Sequence, residues 1–254
     1  MTHHKESLSV VIPIYNEADC INELIKRLLN VQKSLPQLDM QFVFINDGSK
    51  DTSFEILKEH SKKHSFIKLI NLSRNFGHQV ALSAGLFHVD TDYTVMIDAD
   101  LQDPPELIVD LYNKTKEGFD VIYAKRKKRK GETFFKKITA SIFYRFINLL
   151  CDVNIPKDTG DFRLITQKVL RSLNQMPERN RFIRGMIPWM GFKSTPLFYN
   201  RDERFAGETK YSLTKMIHFA FDAIFSFSNY PLKLAGIIGS ATIFLGIIFG
   251  FILL

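Results

Sequence analysis

Before residue 100 the chain repeats one arrangement: a short apolar run stops in a polar cluster, and a segment with helical spacing follows. Leu8 to Ile14 reads as a buried strand, with Val10-Val11-Ile12 supplying β-branched side chains, and it opens into Tyr15-Asn16-Glu17. The helix that follows carries Ile21, Leu24, Ile25, Leu28 and Leu29 on one face, with Asn16 as its cap. Phe42 to Ile45 is the second strand and ends in Asn46-Asp47-Gly48-Ser49-Lys50-Asp51, before a helix to about Lys63. Ile67 to Leu72 is the third, leading through Ser73-Arg74-Asn75-Phe76-Gly77-His78 into a helix to about His88. Such alternation predicts an α/β fold, a doubly wound and mostly parallel sheet in which ligands collect outside the carboxyl ends of the strands. The polar clusters lie at those ends.

The fourth strand, Tyr93 to Ile97, carries the densest cluster, Asp98-Ala99-Asp100-Leu101-Gln102-Asp103-Pro104-Pro105-Glu106. Side chains alternate along an extended chain, so Asp98 and Asp100 are expected on one side, joined by Gln102 if the chain stays extended. Two carboxylates and an amide oxygen suit a hard divalent cation whose shell is completed by water or substrate phosphates. We read the three as a metal and diphosphate clamp. Asp103-Pro104-Pro105-Glu106 reads separately as a helix start, with Asp103 the N-cap, Pro104 at N1 and Glu106 at N3. A helix start leaves the Asp98 and Asp100 pair unexplained.

The second half is more basic. Asp120 to Tyr123 is another predicted strand, followed by Lys125-Arg126-Lys127-Lys128-Arg129-Lys130, a mobile run that is either a solvated loop or a contact for phosphate or lipid headgroups. A helix is expected from about Phe134 to Leu150, then a turn at Asp158-Thr159-Gly160-Asp161-Phe162-Arg163-Leu164. There Asp161 is the candidate for orienting an acceptor or a neighbouring Arg, with Arg163 its partner, and a turn-capping Asp beside a solvated Arg is the plainer alternative. His78 reads as a structural helix-start residue, contact with phosphate being the alternative. Leu197 to Phe205 is the last expected strand.

A net charge of +7 and a pI near 9.3 favour an anionic partner: nucleic acid, a phosphorylated substrate or an anionic membrane face. Only Cys20 and Cys151 are present, which excludes a disulfide framework or cysteine-rich zinc site and points to a reducing compartment. The first residues have no signal-peptide layout. Leu213, Met216, Ile217, Ala220, Phe221, Ile224 and Phe225 form an apolar stripe at helical spacing, suited to a bilayer surface or to packing on the soluble domain. Leu234 to Leu254 holds no charged residue, and as a helix it spans about 30 Å, the thickness of a bilayer core. Gly236, Gly239, Gly246 and Gly250 suit close helix packing in lipid. Lys210, Lys215 and Lys233 precede the span and favour a cytosolic side for the rest. The expected organisation is a catalytic domain at 1–211, an amphipathic interface helix at 212–230 and a transmembrane helix at 231–254. The apolar run reaches the last residue, and further spans are expected beyond it.

Val10-Val11-Ile12-Pro13-Ile14-Tyr15-Asn16-Glu17, Ile45-Asn46-Asp47-Gly48-Ser49 and the Asp98 to Glu106 segment resemble the signature segments of family 2 glycosyltransferases with the GT-A fold. The closer resemblance is to the dolichyl-phosphate mannose synthase and bactoprenol glucosyltransferase group, and it extends over nearly the whole chain, Gly160 to Leu164 and the C-terminal span included. It implies inverting transfer of one sugar from a nucleotide diphosphate donor to a polyprenyl phosphate, such as undecaprenyl phosphate, at the cytoplasmic face of the inner membrane. By the same resemblance Pro13, Tyr15, Glu17 and Asp47 line the nucleotide pocket, while Asp98, Asp100 and Gln102 hold Mg2+ or Mn2+. Arg126, Arg204 and Lys210 match basic positions facing the lipid phosphate, and Lys137 is a looser match. Asp100, Asp161 and Arg163 form the expected catalytic set. A UDP-sugar, UDP-glucose first, is the expected donor, no nucleic acid partner is expected, and a homo-oligomer is left open.

The chemistry agrees with this without the name. An acceptor phosphate, whose last ionisation lies near about 6, is already an oxyanion at neutral pH. The demand on the protein is therefore charge: a cation on the leaving diphosphate and arginines or lysines on the acceptor. A sugar-nucleotide pyrophosphorylase would need a Gly-rich basic loop where Tyr15-Asn16-Glu17 stands. A processive polysaccharide synthase would carry a Gln-x-x-Arg-Trp segment, which is absent. A membrane-tethered binding module without catalysis remains as the third reading, and the intact acid pair argues against it.

Overall fold

The structure, a computed structural model, describes residues 5–127, 159–179, 181–200 and 230–253. Among them, β1 (Ser7–Ile14), β2 (Asp39–Asn46), β3 (Ile67–Asn71), β4 (Tyr93–Met96), β5 (Val121–Arg126), β6 (Thr159–Thr166) and β7 (Ser194–Tyr199) form one sheet in the order β3-β2-β1-β4-β6-β5-β7. Every neighbouring pair is parallel except the two that involve β6, which runs against the other six. The helices are α1 (Ala18–Ser34), α2 (Ser53–Lys63), α3 (His78–Phe87), α4 (Leu107–Thr115), α5 (Gln167–Gln175), α6 (Ile183–Trp189) and α7 (Tyr230–Leu253). The doubly wound, mostly parallel sheet expected from the alternation is therefore present.

Its core forms where the periodicity places it. On β1, Val10, Val11, Ile12 and Ile14 are all buried, as a strand covered on both faces requires. Ile21, Leu24, Ile25 and Leu28 bury the inner stripe of α1. Helix α3 lies unusually close to the sheet, because a Cβ on Gly85 would stand 2.5 Å from both Val11 Cγ1 and Ile45 Cδ1.

Several local expectations are corrected. Asn16 does not cap α1: its backbone is left-handed, with φ of 53°, and its Oδ1 accepts the Lys50 N–H instead. The start of α1 is held by side chains of the next loop, with Ser53 Oγ accepting from Glu17 N and Asp51 Oδ2 from Ala18 N. Asp103 does not cap α4 either, since turns at Pro104 and Pro105 push the helix start to Leu107 and leave Asp103 buried. Lys125 and Arg126, expected in a mobile loop, end strand β5. The turn expected to begin at Asp158 is, over its described residues, the buried strand β6, and β7 ends at Tyr199, the expected continuation over 201–205 lying outside the described residues. The helix expected at 134–150 and the apolar stripe at 213–225 lie outside the described residues.

The chain divides into two compact units, one of residues 1–132 and 156–210 and one of 133–155 and 211–254. The first holds β1 to β7 and α1 to α6; α7 is the described part of the second. Within α7 the 18-residue stretch Ala235–Ile252 has a mean hydropathy of 2.2 and is long and apolar enough to cross a membrane.

Candidate active site

Strands β2, β1 and β4 are neighbours, so their carboxyl ends bring Asp47, the Tyr15-Asn16-Glu17 segment and Asp98 to one rim of the sheet. Because β6 runs the other way, it contributes its beginning to that rim. Met96 faces Arg163 across the β4 and β6 ladder, which carries Asp161, two residues earlier, past the end of β4 towards Asp98.

On the first side of the rim, Tyr15 and Glu17 are half-buried and Pro13 is buried within β1. Asp47 is buried and uses its carboxylate to fix the loop after β3: Oδ1 accepts Phe76 N at 2.7 Å, and Oδ2 accepts Gly77 N at 2.9 Å and Asn75 Nδ2 at 3.0 Å. The neighbouring Gly48 has φ of +63°, and a Cβ there would stand 2.4 Å from the Arg74 carbonyl carbon. Only glycine lets the two loops approach this closely.

The acids after β4 do not continue an extended chain. Leu101 has φ of 58°, and Asp100 Oδ1 accepts the Gln102 N–H at 3.2 Å, so the segment turns back on itself. Asp98 faces His78 and Asp161, and ligand atoms of these three lie within 4.8 Å of one another. His78 Nε2 is 3.1 Å from Asp161 Oδ2 and 3.5 Å from Asp98 Oδ1. Arg184, from α6, grips Asp161 with both ends of its fork, Nε to Oδ1 at 3.2 Å and Nη2 to Oδ2 at 2.9 Å. The expected pairing of Asp161 with Arg163 is replaced by Arg184 and His78. Arg163 is itself buried and donates from Nη2 to the Gly160 carbonyl at 2.9 Å, adding only its field to Asp161.

Charge is unevenly shared in this group. Burial opposes ionisation of Asp161, but Arg184, His78 and Arg163 outweigh it and hold the carboxyl well below its ordinary range. Burial pushes the Asp98 carboxyl up, His78 counteracts this, and Asp161, Asp103 and Asp100 add to the rise, to about 6. Partial desolvation disfavours a charged His78, whose side chain is still 42% exposed, yet Asp98 and Asp161 raise it to about 9. Burial and the nearby Arg184 bring Arg163 down to about 10, with Asp161 opposing.

The residues present fit a divalent cation. Asp161 already has cations on both oxygens, whereas Asp98 Oδ1 is buried and accepts no hydrogen bond. A buried carboxylate oxygen left in that state, with Asp100 close enough to raise its pKa, is one that a hard cation satisfies.

Beside this centre lies a second buried group. Tyr199 donates its hydroxyl to Asp103 Oδ1, and Arg126 Nε donates to Tyr199 Oη at 3.3 Å. Arg126 is the one expected acceptor residue among the described ones; Lys137, Arg204 and Lys210 lie outside them. Arg184, Asp103 and Tyr199 were assigned no role at the site from the sequence, and His78 only the alternative of a phosphate contact. The basic cluster Arg179, Arg181 and Arg184 was the available signal for Arg184, since a buried Asp161 requires a cation nearby.

The glycosyl transferase family 2 model matches residues 9–173. The glycosyltransferase YkcC of Bacillus subtilis (strain 168), itself uncharacterized, is 52% identical over 240 residues, covering 93% of this chain and 74% of that protein. The bactoprenol glucosyl transferase of Shigella phage SfV is 37% identical over 232 residues, covering 91% of this chain and 75% of that protein. The fold is similar to that of glucosyl-3-phosphoglycerate synthase from Mycobacterium tuberculosis, solved with Mn2+, uridine diphosphate and phosphoglyceric acid, with a TM-score of 0.60, 19% identity and coverage of 86% of this chain and 76% of that one. With the sheet, its acidic rim and these relatives in agreement, the chain belongs to glycosyl transferase family 2.

Proposed function

We propose that this glycosyltransferase moves a single hexose, glucose first, from a UDP-sugar to a polyprenyl phosphate such as undecaprenyl phosphate, with inversion at the sugar carbon. The observation that carries the reading is the placing of arginines against an acidic centre: Asp161, which shares His78 with Asp98, is gripped by Arg184, and Arg126 stands beside Asp103. Two anionic substrates must meet in this reaction, and each needs opposite charge already in place. The 37% identity with a bactoprenol glucosyl transferase supports the acceptor class and the sugar.

In this reading Tyr15, Glu17 and Pro13 line the nucleotide pocket, while Asp47 holds the loop of residues 75–77 that closes it. Asp98 and Asp100, with Gln102, are the residues that would hold Mg2+ or Mn2+. When bound, the cation would neutralise the departing diphosphate. Asp161 is not a free base here: it orients Arg184 and His78, and the acceptor phosphate arrives already ionised. Arg126, with Arg204 and Lys210 and more loosely Lys137, receives that phosphate, and Arg163 supports the field around Asp161. Helix α7 anchors the protein in the inner membrane, preceded by an interface helix at 212–230, with the catalytic unit on the cytosolic side where Lys210, Lys215 and Lys233 remain.

The test is incubation of membranes containing the protein with undecaprenyl phosphate and a panel of UDP- and GDP-sugars, followed by mass analysis of the lipid fraction. A lipid heavier by one hexose, formed from UDP-glucose and lost on chelation with EDTA, is the expected result. Polymer in place of a singly glycosylated lipid would favour the processive alternative and overturn this reading.

A further inference from the structure

Arg126 and Tyr199 face each other in the parallel ladder of β5 and β7, so their side chains leave the same face of the sheet. Tyr199 is 4% exposed and Asp103 1%, and together they form a relay: Arg126 Nε donates to Tyr199 Oη, whose hydroxyl donates to Asp103 Oδ1. Arg126 Nη2 lies 3.8 Å from the same carboxylate oxygen. Burial and the charge of Asp103 hold the Tyr199 phenol above its ordinary range, so the donor proton stays in place. The fourth side of this niche is Gly160, where a Cβ would lie 3.4 Å from Arg126 Nη2 and 3.6 Å from Asp103 Oδ2. Strands β5, β6 and β7 and the loop after β4 thus converge on one guanidinium.

An arginine that only met solvent would need none of this. Its long side chain has many rotamers to lose, and fixing Nε from behind leaves the fork aimed before any ligand arrives. Arg126 also feels the repulsion of Arg184, so Asp103 and Asp161 hold two like charges close together at the rim. Such a pair is relieved when an anion enters.

We propose that Tyr199 is a positioning residue for the acceptor: its hydroxyl, anchored on Asp103, fixes the Arg126 guanidinium in the orientation that receives the acceptor phosphate. The inference rests on the reading of Arg126 as an acceptor-phosphate residue, and it assigns Tyr199 a part in acceptor affinity that reaches the substrate only through Arg126.

Tyr199→Phe removes the hydroxyl and keeps the ring with its edge contact to Phe162. The full chain in detergent is titrated with farnesyl phosphate, a short polyprenyl phosphate, and separately with UDP in the presence of Mn2+. The Kd for farnesyl phosphate should rise about tenfold, the weight of one hydrogen bond to a charged group, while that for UDP stays within about twofold. Arg126→Ala should weaken farnesyl phosphate at least as far, and the double variant no further than Arg126→Ala alone. Equal weakening of UDP by Tyr199→Phe, or a full extra loss on top of Arg126→Ala, overturns the positioning role. Unchanged farnesyl phosphate affinity in Arg126→Ala overturns the acceptor reading itself, whereas a loss there with Tyr199→Phe silent overturns only the role of Tyr199. If Tyr199→Phe does not fold, Asp103→Asn probes the same relay, with the same split between the two ligands expected.

Discussion

Asp161→Asn exchanges one oxygen for an amino group at the point where three cationic side chains converge. The wild-type carboxylate receives two hydrogen bonds from Arg184, at 2.9 and 3.2 Å, and lies 3.1 Å from His78 Nε2. The amide keeps one acceptor and turns a donor towards groups that are donors themselves. Its side chain is only 5% exposed and that of Arg184 17%, so water restores little of the Arg184 contact, while His78, 42% exposed, regains more of its hydration. Removing one partner of a buried pair costs about 3–5 kcal/mol, and the retained amide oxygen places this case near the lower end, about 3 kcal/mol. In a chain of this size that corresponds to a fall in Tm of about 6–12 °C. A second consequence is local: His78, raised to about 9 by Asp98 and Asp161 against its burial, loses one carboxylate and should titrate lower. Thermal unfolding of the full chain in detergent with EDTA measures the first effect, and histidine-labelled NMR across a pH series the second. A variant melting within about 2 °C of wild type, with His78 titrating as before, would refute the charge balance described for the rim.

Without metal, stability should decline as pH rises from 6.5 through about 9, because protonated His78 favours the fold below its ordinary value and that contribution is lost as the folded-state group titrates. Asp161, held low by Arg184, His78 and Arg163 against burial, acts in the opposite sense: its contribution is present above 3.8 and drains away below it. Melting curves in EDTA against pH check both limbs, and His78→Gln should flatten the alkaline one. Gly48→Ala, with φ of +63° and the Arg74 backbone 2.4 Å from the new Cβ, should cost about 2 kcal/mol and weaken UDP binding by moving the 72–77 loop; thermal shift and UDP titration report both. The Cys20 thiol, pushed up to about 11 by burial with Glu17, Asp100 and Asp19 adding to it, should resist Ellman's reagent at pH 8 in a Cys151→Ser background until the protein unfolds.

The first four strands were legible because each is a short apolar run rich in β-branched or aromatic residues, the first three followed by a segment of helical character, and parallel crossovers follow from that alternation. Strand β6 was not: Thr159-Gly160-Asp161-Phe162-Arg163 looks like a turn, since two ionisable residues rarely enter a central strand, and it is chiefly Arg184 and His78 that make Asp161 tolerable there. Arg163, at i+2, was the natural partner by spacing, but the chosen one lies 23 residues on and on another element. Asp103 beside two prolines mimicked a helix cap, while its actual partner Tyr199 is 96 residues away. The acids at 98 and 100 follow β4, as the sequence placed them, yet the turn at Leu101 that ends the extended chain depends on one left-handed residue that no composition rule marks.

The reversed strand also sets an order of events during synthesis. In the finished sheet β4 is flanked by β1 and β6, and β5 pairs only with β6 and β7. A growing chain that has emerged through Arg126 therefore carries β4 as an open edge and β5 with nothing to pair against, a state that invites association with other unfinished copies. Asp98 is already beside His78 by then, but Asp161 comes 83 residues after the histidine, so a polypeptide cut short before β6 holds a rim that lacks its second carboxylate.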